Sequence, residues 1–98
     1  LLCAQRELRE ETGYGAKQWS KLTSMYSTPG ICNEILHIYL AAELSPHEMG
    51  QELEEGEASL TVNRVPIREA IAMIEREEIV DGKTIAGILL GARKLGIA

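Results

Sequence analysis

The order of apolar and polar side chains divides this chain into regular segments. From Leu1 to Thr12 nearly every residue is a strong helix former, and Gly13 stands where a left-handed residue closes a helix. The spacing predicts a helix over 1–12 with Leu1, Leu2, Ala4 and Leu8 on its apolar side. Residues 17–26 set Trp19, Leu22, Met25 and Tyr26 among small polar residues, which predicts an irregular strand. Ser27-Thr28-Pro29-Gly30 reads as a turn. Alternation is clearest from Glu34 to Ala42: Leu36, Ile38, Leu40 and Ala42 make one wholly apolar face, expected to be deep core, and Ile35, His37 and Tyr39 make a mixed one.

Between Ser45 and Glu57 the pattern lapses. Pro46, Gly50 and Gly56 stand among Glu48, Glu52, Glu54, Glu55 and Glu57, too polar a stretch to pack, and a mobile acidic loop is expected. Leu60, Val62 and Val65 suggest a short strand, after which Pro66 opens a helix to about Glu77 whose buried stripe is Ile67, Ala70, Ile71 and Ile74. A last helix runs from near Lys83 to Leu95, capped by Asp81, with Arg93 and Lys94 at its negative end. Helix, three strands and two helices in that order predict an α+β fold.

Composition narrows the function. The 98 residues carry a net charge of −5, which argues against a basic face for nucleic acid or an anionic membrane, so an anionic ligand requires a metal or local donors. No apolar run is long enough to span a membrane, and no secretory leader is recognisable. Two cysteines, Cys3 and Cys32, are too few for a disulfide framework. A cytoplasmic protein without membrane or nucleic-acid partners is expected. The chain opens without Met inside a helical pattern, which suggests part of a larger protein.

The densest chemistry lies in Arg6-Glu7-Leu8-Arg9-Glu10-Glu11-Thr12-Gly13-Tyr14. Helical residues four apart share a face, so Glu7 and Glu11 project side by side while Arg6 can pair with Glu10. Two convergent carboxylates repel unless a cation lies between them, and hard oxygen donors suit Mg²⁺ or Mn²⁺. Spacing alone is equally met by a solvated face of intrahelical ion pairs.

This segment resembles the second half of the Nudix box, R-E-U-x-E-E-x-G-U with U a bulky apolar residue, position for position. The box's earlier glycine and glutamate would fall before Leu1, so the resemblance implies that residues 1–98 are the C-terminal portion of a single Nudix hydrolase domain entered inside its box helix. It implies a Nudix-like α/β/α sandwich around a mixed sheet whose N-terminal strands are missing from this chain. Glu7 and Glu11 would be the leading ligands of Mg²⁺ or Mn²⁺, and Glu10 a further ligand or the partner of Arg6 in a structural ion pair.

The segment from Tyr26 to Glu34, with Pro29 at the expected interval after Gly13, resembles the ADP-ribose pyrophosphatase subfamily, as do Val65-Pro66 and Asp81-Gly82-Lys83-Thr84. There Pro29, Gly30 and Glu34 would lie against the substrate's ribose and phosphates. The acidic loop would supply a general base or an extra metal ligand, Glu57 first, then Glu55 and Glu54. The implied function is metal-dependent hydrolysis of ADP-ribose to AMP and ribose 5-phosphate. Alternatives are hydrolysis of another nucleoside diphosphate sugar, or a non-catalytic Nudix-like binding module. A homodimer of the full-length protein is implied, and the fragment alone is expected to be inactive.

Overall fold

The computed structural model describes residues 1–27, 34–47, 50 and 62–97. Their elements run α1 (Leu2–Thr12), β1 (Tyr14–Tyr26), β2 (Ile35–Pro46), α2 (Ile67–Glu75) and α3 (Gly82–Lys94), and the expected α+β class holds. Gly13 ends α1 as the sequence predicts: at φ 80° and ψ 7° it takes a left-handed conformation that costs a glycine little, and its N–H donates to the Arg9 carbonyl at 2.8 Å.

That turn delivers the chain straight into β1, which begins at Tyr14 rather than Lys17 because Gly15 and Ala16 carry too little side chain to announce a strand. β1 and β2 form a two-stranded sheet. Ser27 N–H donates to the Glu34 carbonyl at 3.3 Å and His47 N–H to the Gly13 carbonyl at 2.8 Å, which makes the pair antiparallel. β2 continues past Ala42 to Pro46 through Glu43, itself left-handed at φ 58°. Exposed Glu43, Leu44, Ser45 and Pro46 break the alternation there, which is why the sequence pattern stops short.

The expected third strand is not found in its described part. Residues 62–66 form no regular structure, and Val62 and Val65 are exposed. Two β-branched residues around Asn63-Arg64 have strand preference but no strand to pair with among the described residues, and Leu60 lies outside them. The sheet among the described residues is therefore antiparallel, with no parallel pair of the mixed sheet that the resemblance implied.

The chain divides into two compact units, Leu1–Ser20 with Ala41–Asn63 and Lys21–Leu40 with Arg64–Ala98. In the first, α1 buries no residue; Ala4 and Leu8 are half-covered, but Leu1 is 55% and Leu2 83% exposed, so the apolar side expected of this helix is partly in solvent. In the second, α2 packs on α3. Ala70 is buried and Ile67, Ile71 and Ile74 are half-buried, as the stripe requires.

On α3, Gly87 and Gly91 lie one turn apart, and the absence of their side chains lets the hairpin approach closely. A Cβ at Gly87 would stand 3.5 Å from Ile38 Cγ2, and one at Gly91 would stand 3.9 Å from both Leu22 Cδ1 and Leu40 Cδ1. The face of Leu36, Ile38, Leu40 and Ala42 is nevertheless half-buried throughout, not deep core. α3 meets Ile38 and Leu40 through glycines, and among the described hydrophobic residues only Ala70 and Ala92 are buried. Among the described residues no helix is long and apolar enough to cross a membrane.

Candidate metal and substrate site

Helix α1 sets the carboxylates. Glu7 and Glu11 stand one turn apart on one face, Glu7 exposed and Glu11 half-buried. Cys3, a turn earlier on the same stripe, donates its thiol to Glu7 Oε1 at 3.9 Å and accepts from Arg6 Nη2 at 3.8 Å. Glu10 points elsewhere: its Oε1 lies 3.9 Å from Arg6 Nε and 3.7 Å from Arg9 Nη2. The predicted Arg6–Glu10 pair is thus present, and Arg9 joins it. The last turn is tied down by the Thr12 hydroxyl, which donates to the Leu8 carbonyl and accepts from Tyr14 N–H at 3.2 Å.

A cavity of about 350 Å³ opens beside this helix, lined by Gln5, Arg6, Arg9, Gly15, Ala16, Trp19 and His47. At 3.6 residues per turn, Gln5 and Arg9 lie across the helix from Glu7 and Glu11, so this cavity is not the space in front of the carboxylate pair. Its indole N–H is already donated to the Ala16 carbonyl at 3.2 Å.

Within the second unit, Glu34 precedes β2 as an exposed residue and lines a cavity of about 390 Å³ with Met25, Ser27, Leu36, Asp81, Gly82 and Lys83. Asp81 caps α3 as expected, accepting from Thr84 N–H at 3.0 Å, Thr84 Oγ1 at 2.7 Å and Lys83 Nζ at 2.9 Å. The Lys83 ammonium first, then the two Thr84 donors, hold its carboxyl down to about 2. His37, read as an ordinary strand residue, is within 2.8 Å of the Ser24 hydroxyl through Nδ1.

Comparison with known proteins places these residues in a family. The sequence model of the NUDIX domain matches residues 1–87. The chain belongs to the NUDIX domain family. It is 45% identical over 85 residues to an ADP-ribose pyrophosphatase of Bacillus subtilis (strain 168), covering 87% of this chain and 45% of that protein. An ADP-ribose pyrophosphatase of Mycobacterium tuberculosis (strain ATCC 25618 / H37Rv) is 42% identical over 89 residues, 90% of this chain and 42% of its own. A GDP-mannose pyrophosphatase of Yersinia enterocolitica serotype O:8 / biotype 1B (strain NCTC 13174 / 8081) is 37% identical over 83 residues, 85% of this chain and 44% of its own. The chain spans less than half the length of these curated relatives.

Of the residues that the Nudix resemblance singled out, the structure brings Arg6, Glu7, Glu10 and Glu11 together on α1 and sets Glu34 in a cavity of the other unit. Pro29, Gly30, Glu54, Glu55 and Glu57 lie outside the described residues. Among the described residues no group of three or more His, Cys, Asp or Glu could hold a metal ion. Two side chains escaped the sequence reading. The place of Lys83 in the lining of the Glu34 cavity depends on residues far apart in the chain, and Arg9 occupies the variable position of the motif, where only its partners reveal a role.

Proposed function

We propose that the full-length protein hydrolyses the pyrophosphate bond of ADP-ribose to AMP and ribose 5-phosphate with a divalent metal ion, Mg²⁺ or Mn²⁺. The chain would be the C-terminal portion of one hydrolase domain. The observation that carries this reading is the carboxylate pair Glu7 and Glu11, one turn apart on α1, beside a Glu10 occupied by guanidinium groups. Mg²⁺ is commonly held by one or two carboxylates, with water and substrate phosphates completing six oxygens, so a pair of glutamates is a sufficient donor set. Glu7 and Glu11 would hold the ion, and when bound it neutralises phosphate charge and lowers the pKa of water.

This chain's own residues would do the rest. Arg6 and Arg9 keep Glu10 as an ion-pair partner rather than a ligand. Glu34, exposed and lining its cavity, could accept from vicinal ribose hydroxyls, and Pro29 and Gly30 would lie against the same sugar. A glutamate among Glu57, Glu55 and Glu54, in that order of preference, would take a proton from the attacking water. The water oxygen bonds to one phosphorus, the bridging P–O bond breaks, and the bridging oxygen leaves with the other phosphate.

The relative that acts on GDP-mannose supports a second reading, hydrolysis of another nucleoside diphosphate sugar. Incubating the full-length protein with ADP-ribose or GDP-mannose, with Mg²⁺ or EDTA, separates the two by product chromatography. AMP from ADP-ribose in the Mg²⁺ arm, in excess of GMP from GDP-mannose, is expected. Metal-dependent product from neither would overturn both.

A further inference from the structure

Arg9 stands at the unassigned position of the R-E-U-x-E-E pattern, yet it makes more of the local structure than the arginine that the pattern names. Both guanidinium groups approach one oxygen of Glu10, Arg9 at 3.7 Å and Arg6 at 3.9 Å. Their surroundings differ more than their distances. The Arg6 side chain is 63% exposed, whereas that of Arg9 is 15% exposed and that of Glu10 22%. A pair screened by solvent contributes little, and one withdrawn from water contributes more. Arg6 also precedes Glu10 by one turn, the weaker order for an intrahelical pair.

The other end of Arg9 leaves the helix. Its Nη1 donates to the Gly50 carbonyl at 3.5 Å, across 41 positions of sequence. Gly50 is itself fastened to His47, and His47 to the end of α1: the Gly50 N–H donates to the His47 carbonyl at 3.0 Å, and His47 N–H donates to the Gly13 carbonyl at 2.8 Å. Gly50 is left-handed at φ 64°, a setting that presents its carbonyl with little backbone strain. The last turn of α1 is therefore joined to His47 and Gly50 by a closed circuit of hydrogen bonds through Gly13, His47, Gly50 and Arg9, and Glu10 hangs from its charged corner. A lysine could satisfy one end of Arg9 but not both, because the planar guanidinium offers separate donors to the carboxylate and the carbonyl.

We propose that Arg9, rather than Arg6, is the principal partner of Glu10 and a positioning residue for the Glu7 and Glu11 face, fixing the end of α1 to Gly50 and, through it, to His47. This rests on the reading of Glu7 and Glu11 as metal ligands only for its effect on metal binding; the pairing itself is a property of the metal-free protein. Outer-shell partners of metal sites typically change affinity by about 10–100-fold when removed.

The test is a double-mutant cycle in the full-length protein without metal, using Arg9→Met, Arg6→Met and Glu10→Gln, each unfolded in urea. The Arg9–Glu10 coupling should exceed the Arg6–Glu10 coupling, and Arg9→Met should speed amide exchange at Gly50 and His47 where Arg6→Met does not. Mn²⁺ titration should show about tenfold weaker binding for Arg9→Met, with partial recovery in Arg9→Lys. A larger Arg6–Glu10 coupling, or unchanged amide exchange in Arg9→Met, would overturn the proposal. Should the wild type make no AMP, the hydrolase reading fails while the metal-free coupling still decides the role of Arg9.

Discussion

Replacing Gly91 by alanine and by valine should move stability in opposite directions, because α3 approaches the hairpin at a distance that admits one methyl and no more. Gly91 is buried in the interior of a 13-residue helix, where alanine is favoured over glycine by about 1 kcal/mol. Its added Cβ would meet Leu22 Cδ1 and Leu40 Cδ1 at 3.9 Å, ordinary van der Waals contact, so the alanine variant should gain about 1 kcal/mol. Valine carries two further methyls about 1.5 Å beyond that point. In most rotamers one of them enters the space of Leu22 or Leu40, and overpacking of this kind costs about 1–3 kcal/mol, more than the helix gains. Urea unfolding of the full-length protein reads both variants, with an unchanged m-value confirming that only stability has moved. A destabilised Gly91→Ala, or a Gly91→Val as stable as the alanine variant, would refute the close packing of α3 on Leu22 and Leu40.

Glu77 is left-handed at φ 61° just past α2, its N–H bonded to the Ile74 carbonyl at 3.0 Å, so Glu77→Gly should stabilise the protein by about 1 kcal/mol in thermal unfolding. A loss of stability would show that the glutamate side chain matters more than its backbone. The carboxyl of Asp81 is held down to about 2 from an ordinary 3.8, so the stability it gives in the folded state is present above pH 3.8 and is lost as pH falls towards 2. Asp81→Asn keeps a capping oxygen and removes the charge, so the gap in melting temperature between wild type and variant at pH 5 should close by pH 2; parallel curves would contradict the assignment.

Much of the scaffold was legible because its signals are local. Gly13 after an unbroken run of helix formers, Asp81 three residues before Thr84, and the Ile67 to Ile74 stripe each need only their neighbours, and each stands where the pattern puts it. Burial was less legible. Leu36, Ile38 and Leu40 show perfect alternation, but depth depends on what covers a face, and here the cover is a helix with glycines at its points of contact. The end of β2 was hidden by Glu43, whose left-handed turn breaks the period of two without ending the strand.

The same division runs through the site. The pairing of Arg6 with Glu10 and the common face of Glu7 and Glu11 follow from helical spacing. No local rule joins Arg9 to Gly50 or brings Glu34 and Lys83 to one cavity, since each depends on the return of a distant segment.

We propose Glu7 and Glu11 as the donor pair for a catalytic divalent ion. The decisive measurement is Mg²⁺-dependent release of AMP from ADP-ribose by the full-length wild type beside Glu11→Gln, a substitution that keeps size and removes the charge. A direct ligand should exceed the scale of about 10–100-fold typical of outer-shell partners, so the variant is expected to fall by more than hundredfold while still unfolding cooperatively in the absence of metal. Equal turnover by the two proteins would contradict the account.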